Sequence, residues 1–361
     1  MKNGSLLKWV PLTLLGCDAW LLRANFEDEE AAILYEAATY TDAPTDMSAL
    51  NILNYNIKYG GARLLFFWEC NGERYNMTEE EVTTHLDAIV DFINWHDPDI
   101  LLLQEVDRNS LRSGYIDQIQ YILDRTELNF GAYASQHQVD FLPSDGFGHL
   151  DFGNATLSRW PIPEATRIAL PLVSSYPAYY QYLYLKRHIL SSRVELPWDD
   201  NFYVVNTHLE AFSEGNTKLD QINQFHKVLT ELTNDGRDWV GGGDLNSLPG
   251  DSLQLNEFPD DCPGRFDPDD YSGEEDWLDP LFNDFSSAMT LERYDEDNTK
   301  WYSYTGNPDD GWTRTLDYLF TNGVWANDGA DNLVIQSVEQ GGYDTLLISV
   351  HAPVQAILEV P

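Results

Sequence analysis

The chain has 361 residues, of which 43% are hydrophobic and 13% aromatic, and this composition excludes an intrinsically disordered protein. The 21 Lys and Arg residues against 60 Asp and Glu residues give a formal net charge of −39. Such a charge repels polyanions and disfavours a general nucleic-acid-binding protein, although a bound divalent cation can reverse the sign at one site.

The N-terminus has the features of a secretory leader. Lys2 precedes an apolar run over residues 6–15, which is too short to span a bilayer as a helix. The run ends in LLGC, similar to a bacterial lipobox, in which the cysteine (here Cys17) is lipidated. The alternative is an ordinary buried N-terminal helix. We predict a signal peptide over residues 1–17 and an extracytoplasmic protein, lipid-anchored to the membrane of a bacterial cell envelope.

The rest of the chain divides into an acidic stretch and one large domain. Residues 18–48 are interpreted as an acidic tether that includes a helix near residues 28–38. Residues 49–361 show no repeat or linker, so we expect a single domain and a monomer. Cys70 and Cys262 could pair in an oxidising compartment, but the sequence does not show that they lie close together.

The domain alternates between strand and helix patterns. Strands are predicted at residues 50–57, 99–106, 154–158, 188–196, 202–206, 238–240, 315–320, 333–338 and 353–360, and helices at 79–95, 115–124 and 219–232. Thr78 and Glu81 form a capping-box pair at the start of the first of these helices. The acidic segment 260–279 lacks the spacing of an EF-hand, and we predict a loop there.

Several of the predicted strands end in polar side chains. These are Asn56, Gln104 with Glu105, Asn206 with His208, Asp244 with Asn246, and Asp317 together with His351. Any one of these groups alone is more often a turn residue or a satisfied core residue. Together they supply carboxylate and amide oxygens for a hard cation and two imidazoles for proton transfer. This combination suits metal-assisted hydrolysis of a phosphoester.

The order of these motifs resembles that of the endonuclease/exonuclease/phosphatase superfamily, whose members include DNase I, apurinic endonucleases, neutral sphingomyelinases and inositol phosphatases. The motifs are Asn56, Gln104-Glu105, Gly153-Asn154-Ala155, Leu157-Ser158-Arg159, Asn206-Thr207-His208, Gly243-Asp244-Leu245-Asn246, Asp317-Tyr318 and Ser349 to His351. The resemblance covers residues 50–360. It implies a four-layer α/β/β/α sandwich, with two mixed sheets flanked by helices and the active site at one end.

The resemblance also implies roles for the polar residues. Glu105 would be the main protein ligand of Mg²⁺, with Asn56 beside it, and Mn²⁺ or Ca²⁺ could take its place. Asp244 would orient or deprotonate the attacking water and would be held by Asn246. His208 would donate to the phosphoryl oxygens, where negative charge develops in the transition state.

His351 would be the second catalytic imidazole, held by Asp317. Asn154 would lie at the floor of the site, and Arg187 could contact the phosphate as one of the few positive groups, or be structural. One departure from the family is that Val350 stands where an Asp usually lies, which removes a negative charge near the metal. The remaining constellation is complete, so we still expect catalysis.

We predict a Mg²⁺-dependent phosphodiesterase that acts on a phospholipid headgroup or a small phosphodiester. The motif GNATLSRWPI is nearer to the sphingomyelinase-like branch than to the apurinic endonucleases. The aromatic segments 63–76 and 175–186 could contact a membrane or simply pack against the domain. The alternatives are an extracytoplasmic nuclease, and a non-catalytic envelope module if Val350 disables the site.

Overall fold

The computed structural model describes residues 25–142, 148–211, 215–250, 252–262, 264 and 266–360. The predicted signal peptide and Cys17 lie outside the described residues. Within these ranges, the strands form two seven-stranded mixed sheets.

In both sheets the spatial order of the strands differs from their order along the chain. The first sheet contains β1 (Glu29–Ala31), β7 (Glu164–Ala169), β8 (His188–Val194), β9 (Phe202–His208), β10 (Trp239–Asp244), β12 (Asp317–Thr321) and β11 (Ser286–Ser287). The second contains β13 (Leu333–Val334), β14 (Val354–Glu359), β3 (Ala49–Asn56), β4 (Ile100–Asp107), β6 (Gly148–Ser158), β5 (Phe130–Leu142) and β2 (Ile33–Glu36). Among the described strands, the β9–β10 and β3–β4 pairs are parallel and the other neighbours are antiparallel.

Helices cover the outer faces of both sheets. The longer ones are α1 (Glu79–His96) and α4 (Thr217–Asn234), and the shorter ones are α2 (Gln118–Leu123), α3 (Ala178–Leu183), α5 (Asp279–Asp284), α6 (Leu291–Glu296), α7 (Val338–Gly341) and α8 (Thr345–Ile348). Helices α1 and α2 pack on the second sheet, and α4 packs on the first. The predicted four-layer sandwich is therefore confirmed. No helix in the described part of the chain is both long and apolar enough to cross a membrane.

Helix α1 shows how local sequence fixes an outer layer. The Thr78 hydroxyl accepts from the Glu81 amide, and the Glu81 carboxylate accepts from the Thr78 amide, as the capping box predicts. The helix buries Val82, Leu86 and Ile89 against the second sheet, and it ends at Asp97, which adopts a left-handed conformation.

The predicted helix near residues 28–38 is wrong. This segment instead forms two short strands, because β1 pairs with β7 in the first sheet and β2 pairs with β5 in the second. One short piece of chain thus joins the edges of both sheets. Trp160 Nε1 also donates to the Pro44 carbonyl, so the later part of the predicted tether contacts the domain.

A disulfide joins Cys70 to Cys262, which are 192 residues apart in sequence. We expect the double variant Cys70→Ser/Cys262→Ser to lose about 2–5 kcal/mol of unfolding free energy, because a bond that closes so long a loop restricts the unfolded chain. Urea unfolding at equilibrium measures this loss. The wild-type protein unfolded in the presence of a reducing agent should show the same loss. An unchanged midpoint in the double variant would contradict the expected contribution.

Candidate active site

Polar side chains from the first sheet form a row at one end of the sandwich. The parallel pairing of β9 with β10 sets His208 beside Asp244, and the antiparallel pairing of β10 with β12 sets Asp244 beside Asp317. Residues directly opposite on neighbouring strands point to the same face. The register of three strands therefore brings three predicted site residues together, although they are distant in sequence.

The second sheet contributes through a β-bulge. The β4–β6 register shifts between Leu103 and Val106, so that Gln104 and Glu105 lie opposite Asn154. Glu105 has a positive φ of 54°, which is uncommon for a residue with a side chain. Bulges often redirect side chains beside active sites, and such backbone strain is concentrated at functional positions. Here the bulge lies at Glu105, which is half-buried, whereas the other predicted site carboxylates, Asp244 and Asp317, are buried.

His351 lies between two carboxylates. Its Nδ1 donates to Asp317 Oδ2 at 2.8 Å, and its Nε2 lies 3.5 Å from Asp244 Oδ2. The Ser303 hydroxyl also donates to Asp317 Oδ2 at 2.7 Å. The predicted pairing of Asp317 with His351 is present, and it fixes which imidazole nitrogen faces Asp244.

Asn56 connects the two sheets at the site. Its Nδ2 donates to Glu105 Oε1 at 3.1 Å and to Asp244 Oδ2 at 3.0 Å. Its Oδ1 accepts from the Lys58 amide at 3.0 Å. In this orientation Asn56 holds two carboxylates together and does not present its oxygen to a metal.

The two imidazoles of the candidate site, His351 and His208, differ in charge. Burial alone would lower the pKa of His351, but the carboxylates of Asp317 and Asp244 raise it to about 9. Burial lowers the pKa of His208 well below its usual value, and the Arg187 guanidinium lowers it further. Burial raises the pKa of Asp244 to about 7, although the positive charge of His351 opposes this rise. At neutral pH, His351 is therefore protonated while His208 is neutral.

The other predicted residues are close to this centre but differ in what they contact. The backbone amide of Asn246 donates to Asp244 Oδ1 at 3.1 Å, whereas its side-chain amide donates to the Leu209 carbonyl. Arg187 is buried, with its Nε 3.7 Å from Glu210 Oε2. Neither the oxygen nor the nitrogen of the buried Asn154 amide has a hydrogen-bond partner among the described residues.

The donor set fits a divalent cation. Glu105 is half-buried next to Asp244, and carboxylate oxygens are the ligands that Mg²⁺ prefers. Asp244, Asp317 and His351 also place one possible ligand atom each within 4.8 Å of one another. However, His351 Nδ1 donates to Asp317 in this second group, and this pairing suits proton transfer better than binding of a metal ion. Glu105 is therefore the better candidate for the main ligand.

The sequence did not identify three neighbours of the site. The Tyr304 ring packs edge-on against the His351 imidazole, with 4.9 Å between the ring centres. Ser303 holds Asp317, and Lys58 is buried beside the site with its ammonium donating to Glu69 Oε1 at 2.6 Å. The signal for Lys58 was its position two residues after Asn56, whereas no local pattern marks Ser303 or Tyr304.

Comparison with known proteins identifies one matching family profile and several similar solved structures. The sequence profile described as "Endonuclease/Exonuclease/phosphatase family" matches residues 53–336. Similar solved structures include an endonuclease/exonuclease/phosphatase from Beutenbergia cavernae, with 18% identity, coverage of 87% of this chain and 72% of that chain, and a TM-score of 0.56. One from Bacteroides vulgatus has 15% identity, coverage of 87% and 100%, and a TM-score of 0.51.

The human Nocturnin catalytic domain with bound sulfate anion is also similar, with 15% identity, coverage of 91% of this chain and 97% of that chain, and a TM-score of 0.52. At these identities the likeness to solved structures shows the fold alone. No match to a curated protein was found.

Proposed function

The chain belongs to the endonuclease/exonuclease/phosphatase family, and from this premise we propose that it is a divalent-metal-dependent phosphodiesterase. The observation that carries the proposal is the position of the His351 imidazole between Asp317 and Asp244, with Glu105 linked to Asp244 through Asn56. This arrangement combines a proton acceptor, a proton donor and an oxygen ligand for a cation within one buried site. These are the groups that phosphoester hydrolysis by water requires.

Hydrolysis would proceed by attack of water on phosphorus. As the bond from the water oxygen forms and the bond to the leaving oxygen breaks, Asp244 is placed to accept the proton of water. Its raised pKa of about 7 makes it a better base than an ordinary aspartate. His351 and His208 are placed to donate toward the phosphoryl oxygens, where negative charge grows.

Two further groups would complete the site. Glu105 would hold the metal, and a divalent cation bound there supplies a positive charge that stabilises the phosphoryl oxygens. Arg187 would contact the phosphate from the start of β8, as one of the few buried cations near the site, while its Nε lies 3.7 Å from Glu210 Oε2. Val350 is buried and adds no charge, so Glu105 has one carboxylate fewer beside it than the family pattern implies.

A phospholipid headgroup or another small phosphodiester is the substrate class we propose, in the manner of the sphingomyelinase branch. The net charge of −39 favours a small substrate over a long nucleic acid. Helix α3 exposes Tyr179, Tyr180 and Leu183, and amphipathic aromatic rings suit a lipid interface. The Tyr184 hydroxyl, just after this helix, donates to Glu210, which neighbours Arg187.

We also propose an extracytoplasmic location with a lipid anchor at Cys17. The lipobox-like sequence at the N-terminus supports the anchor. The disulfide between Cys70 and Cys262 supports an oxidising compartment, since such bonds are rare where thiols are kept reduced. Globomycin sensitivity of processing, together with labelling by a palmitate analogue, tests the anchor directly.

Hydrolysis of bis-p-nitrophenyl phosphate, sphingomyelin and plasmid DNA, with Mg²⁺ and with EDTA, tests the proposed activity. We expect turnover of the two smaller substrates that EDTA abolishes, with plasmid DNA cleaved least. Preferred cleavage of plasmid DNA would instead show a nuclease. If folded protein turned over none of them, Val350→Asp would separate a site disabled by Val350, which this change should restore, from a narrow substrate preference.

A further inference from the structure

The row of site residues in the first sheet continues by one more strand. Ile189 and Leu190 of β8 pair with Thr207 and Asn206 of β9, so His188 lies opposite His208 where β8 begins and β9 ends. The Thr207 hydroxyl donates to the His188 carbonyl at 3.0 Å, which confirms that the strand ends are adjacent. Side chains in such opposite positions have Cβ atoms about 4.5–5.5 Å apart.

Both imidazoles face the interior of the sandwich. The Asn206 amide donates to the Leu103 and Ala155 carbonyls of the other sheet, so this side of β9 is the inner one. Because side chains alternate along a strand, His208 is on the same side, and His188 follows from its opposite position. His188 is fully buried and His208 nearly so.

Neither imidazole has the partners that a buried histidine normally finds. Both ring nitrogens of His188, and Nδ1 of His208, lack a hydrogen bond to any described residue. The Lys186 backbone lies near enough to raise the pKa of His188. It makes no hydrogen bond of normal geometry with either ring nitrogen of His188. His351, in contrast, has Asp317 on its Nδ1.

A carboxylate beside Nδ1 of His208 would not suit the proposed mechanism, because that mechanism uses His208 in its neutral form. His208 is needed as a neutral donor from Nε2, the nitrogen that lies 3.4 Å from Asp244 Oδ2. A carboxylate on Nδ1 would raise the pKa of His208, as Asp317 raises that of His351. A neutral imidazole can donate to Nδ1 and hold the proton on Nε2 without adding charge.

We propose that His188 is a positioning residue that fixes the Nε2–H tautomer of His208, donating to its Nδ1 either directly or through one water molecule. The inference rests on the proposed function, since it gives a reason for the neutral imidazole in that mechanism. Burial and Arg167 both lower the pKa of His188, which keeps it neutral as this role requires.

The surroundings favour neutrality for both rings. The Arg167 guanidinium donates to the Ser135 and Lys186 carbonyls, and the Lys186 ammonium donates to the Gln181, Tyr182 and Tyr184 carbonyls. Backbone oxygens thus hold these cations in place without cancelling their charge. Besides burial, the Arg167 and Arg187 guanidinium groups lower the pKa of His188, and Arg187 also lowers that of His208, so a second positive imidazole is disfavoured there.

Nitrogen-15 NMR of the histidine rings at pH 7 tests the inference without requiring turnover. We expect His208 to show a single Nε2–H tautomer in the wild-type protein and a mixture of tautomers in His188→Leu. With a turned-over substrate, kcat should fall about 10- to 100-fold while KM changes little. The melting temperature should change by less than about 5 °C, because leucine keeps the side-chain packing and the change removes a single hydrogen bond.

Variants with an amide side chain at position 188 test whether a hydrogen-bond donor there is sufficient. Either His188→Asn or His188→Gln should restore the Nε2–H tautomer, because the amide group can donate to Nδ1. His226→Leu, which changes a surface histidine paired with Asp284, is the matched control. An unchanged His208 tautomer in His188→Leu would overturn the inference, and so would a melting temperature lowered by more than about 5 °C. Absence of turnover with a responsive tautomer would instead count against the proposed function alone.

Discussion

Replacing His351 with alanine should lower kcat about 10²–10⁴-fold, the usual contribution of a positioned acid or base. The reason is that His351 supplies the positive charge between two buried carboxylates. Without it, Asp244 keeps a proton at neutral pH and can no longer accept one from water. The variant should also lose stability, because the charged form of His351 stabilises two buried carboxylates, so turnover is compared only on samples shown to be folded.

The pH dependence gives a second readout of the same pair. Activity should require ionised Asp244 and protonated His351, so it should fall below pH about 7 and above about 9. Because the folded pKa of His351 is raised, the stability that its charged form contributes is present below its unfolded pKa and is lost as pH rises through about 9. Asp317→Asn should move the alkaline limb of the activity profile to lower pH.

Kinetics of His351→Ala, Asp317→Asn and the surface control His226→Gln with one chromogenic diester would measure these effects. Circular dichroism on the same samples shows whether each variant is folded. Near-wild-type turnover by folded His351→Ala would mean that the site assignment is wrong. An alkaline limb unmoved in Asp317→Asn would mean that Asp317 does not control the protonation of His351.

Elements with a strong local signal were predictable from the sequence. Helix α1 was predicted to within one residue, because its capping box and apolar spacing are both local. Strand β5 was missed, since its buried positions include Ser135, Gln136 and His137, which obscure a hydrophobic alternation. The segment with β1 and β2 was wrongly predicted as a helix, because pairing with two sheet edges overrides local preference.

The site shows the same division. The order of the motifs identified Asn56, Glu105 and Asp244 before any geometry was known, because each motif lies at the end of its own strand. The positions of Tyr304 and His188 at the site depend on contacts between segments distant in sequence, and no spacing marks them. Strand register, which the sequence does not specify locally, brings His188 beside His208.

Replacing Glu105 with glutamine should abolish metal-dependent turnover, with kcat lower by about 10²–10⁴-fold, because several kcal/mol of transition-state stabilisation are lost with the cation. The change keeps the shape of the side chain and its contact with Asn56 while it removes the charge that would hold Mg²⁺. The fold should be unaffected, since the carboxylate is half-buried.

The binding of the metal and the turnover should fail together. Titration calorimetry with Mg²⁺ should show binding to the wild-type protein and little to Glu105→Gln, while raised Mg²⁺ should recover part of the activity. Glu164→Gln is the matched control, because that carboxylate is exposed and pairs with Arg193. Unchanged Mg²⁺ affinity in Glu105→Gln would move the metal to the group formed by Asp244, Asp317 and His351. In that case His351 would be a ligand, and loss of His351 would reduce metal affinity as well as proton transfer. The two variants together therefore decide which carboxylates hold the cation and which serve the imidazole.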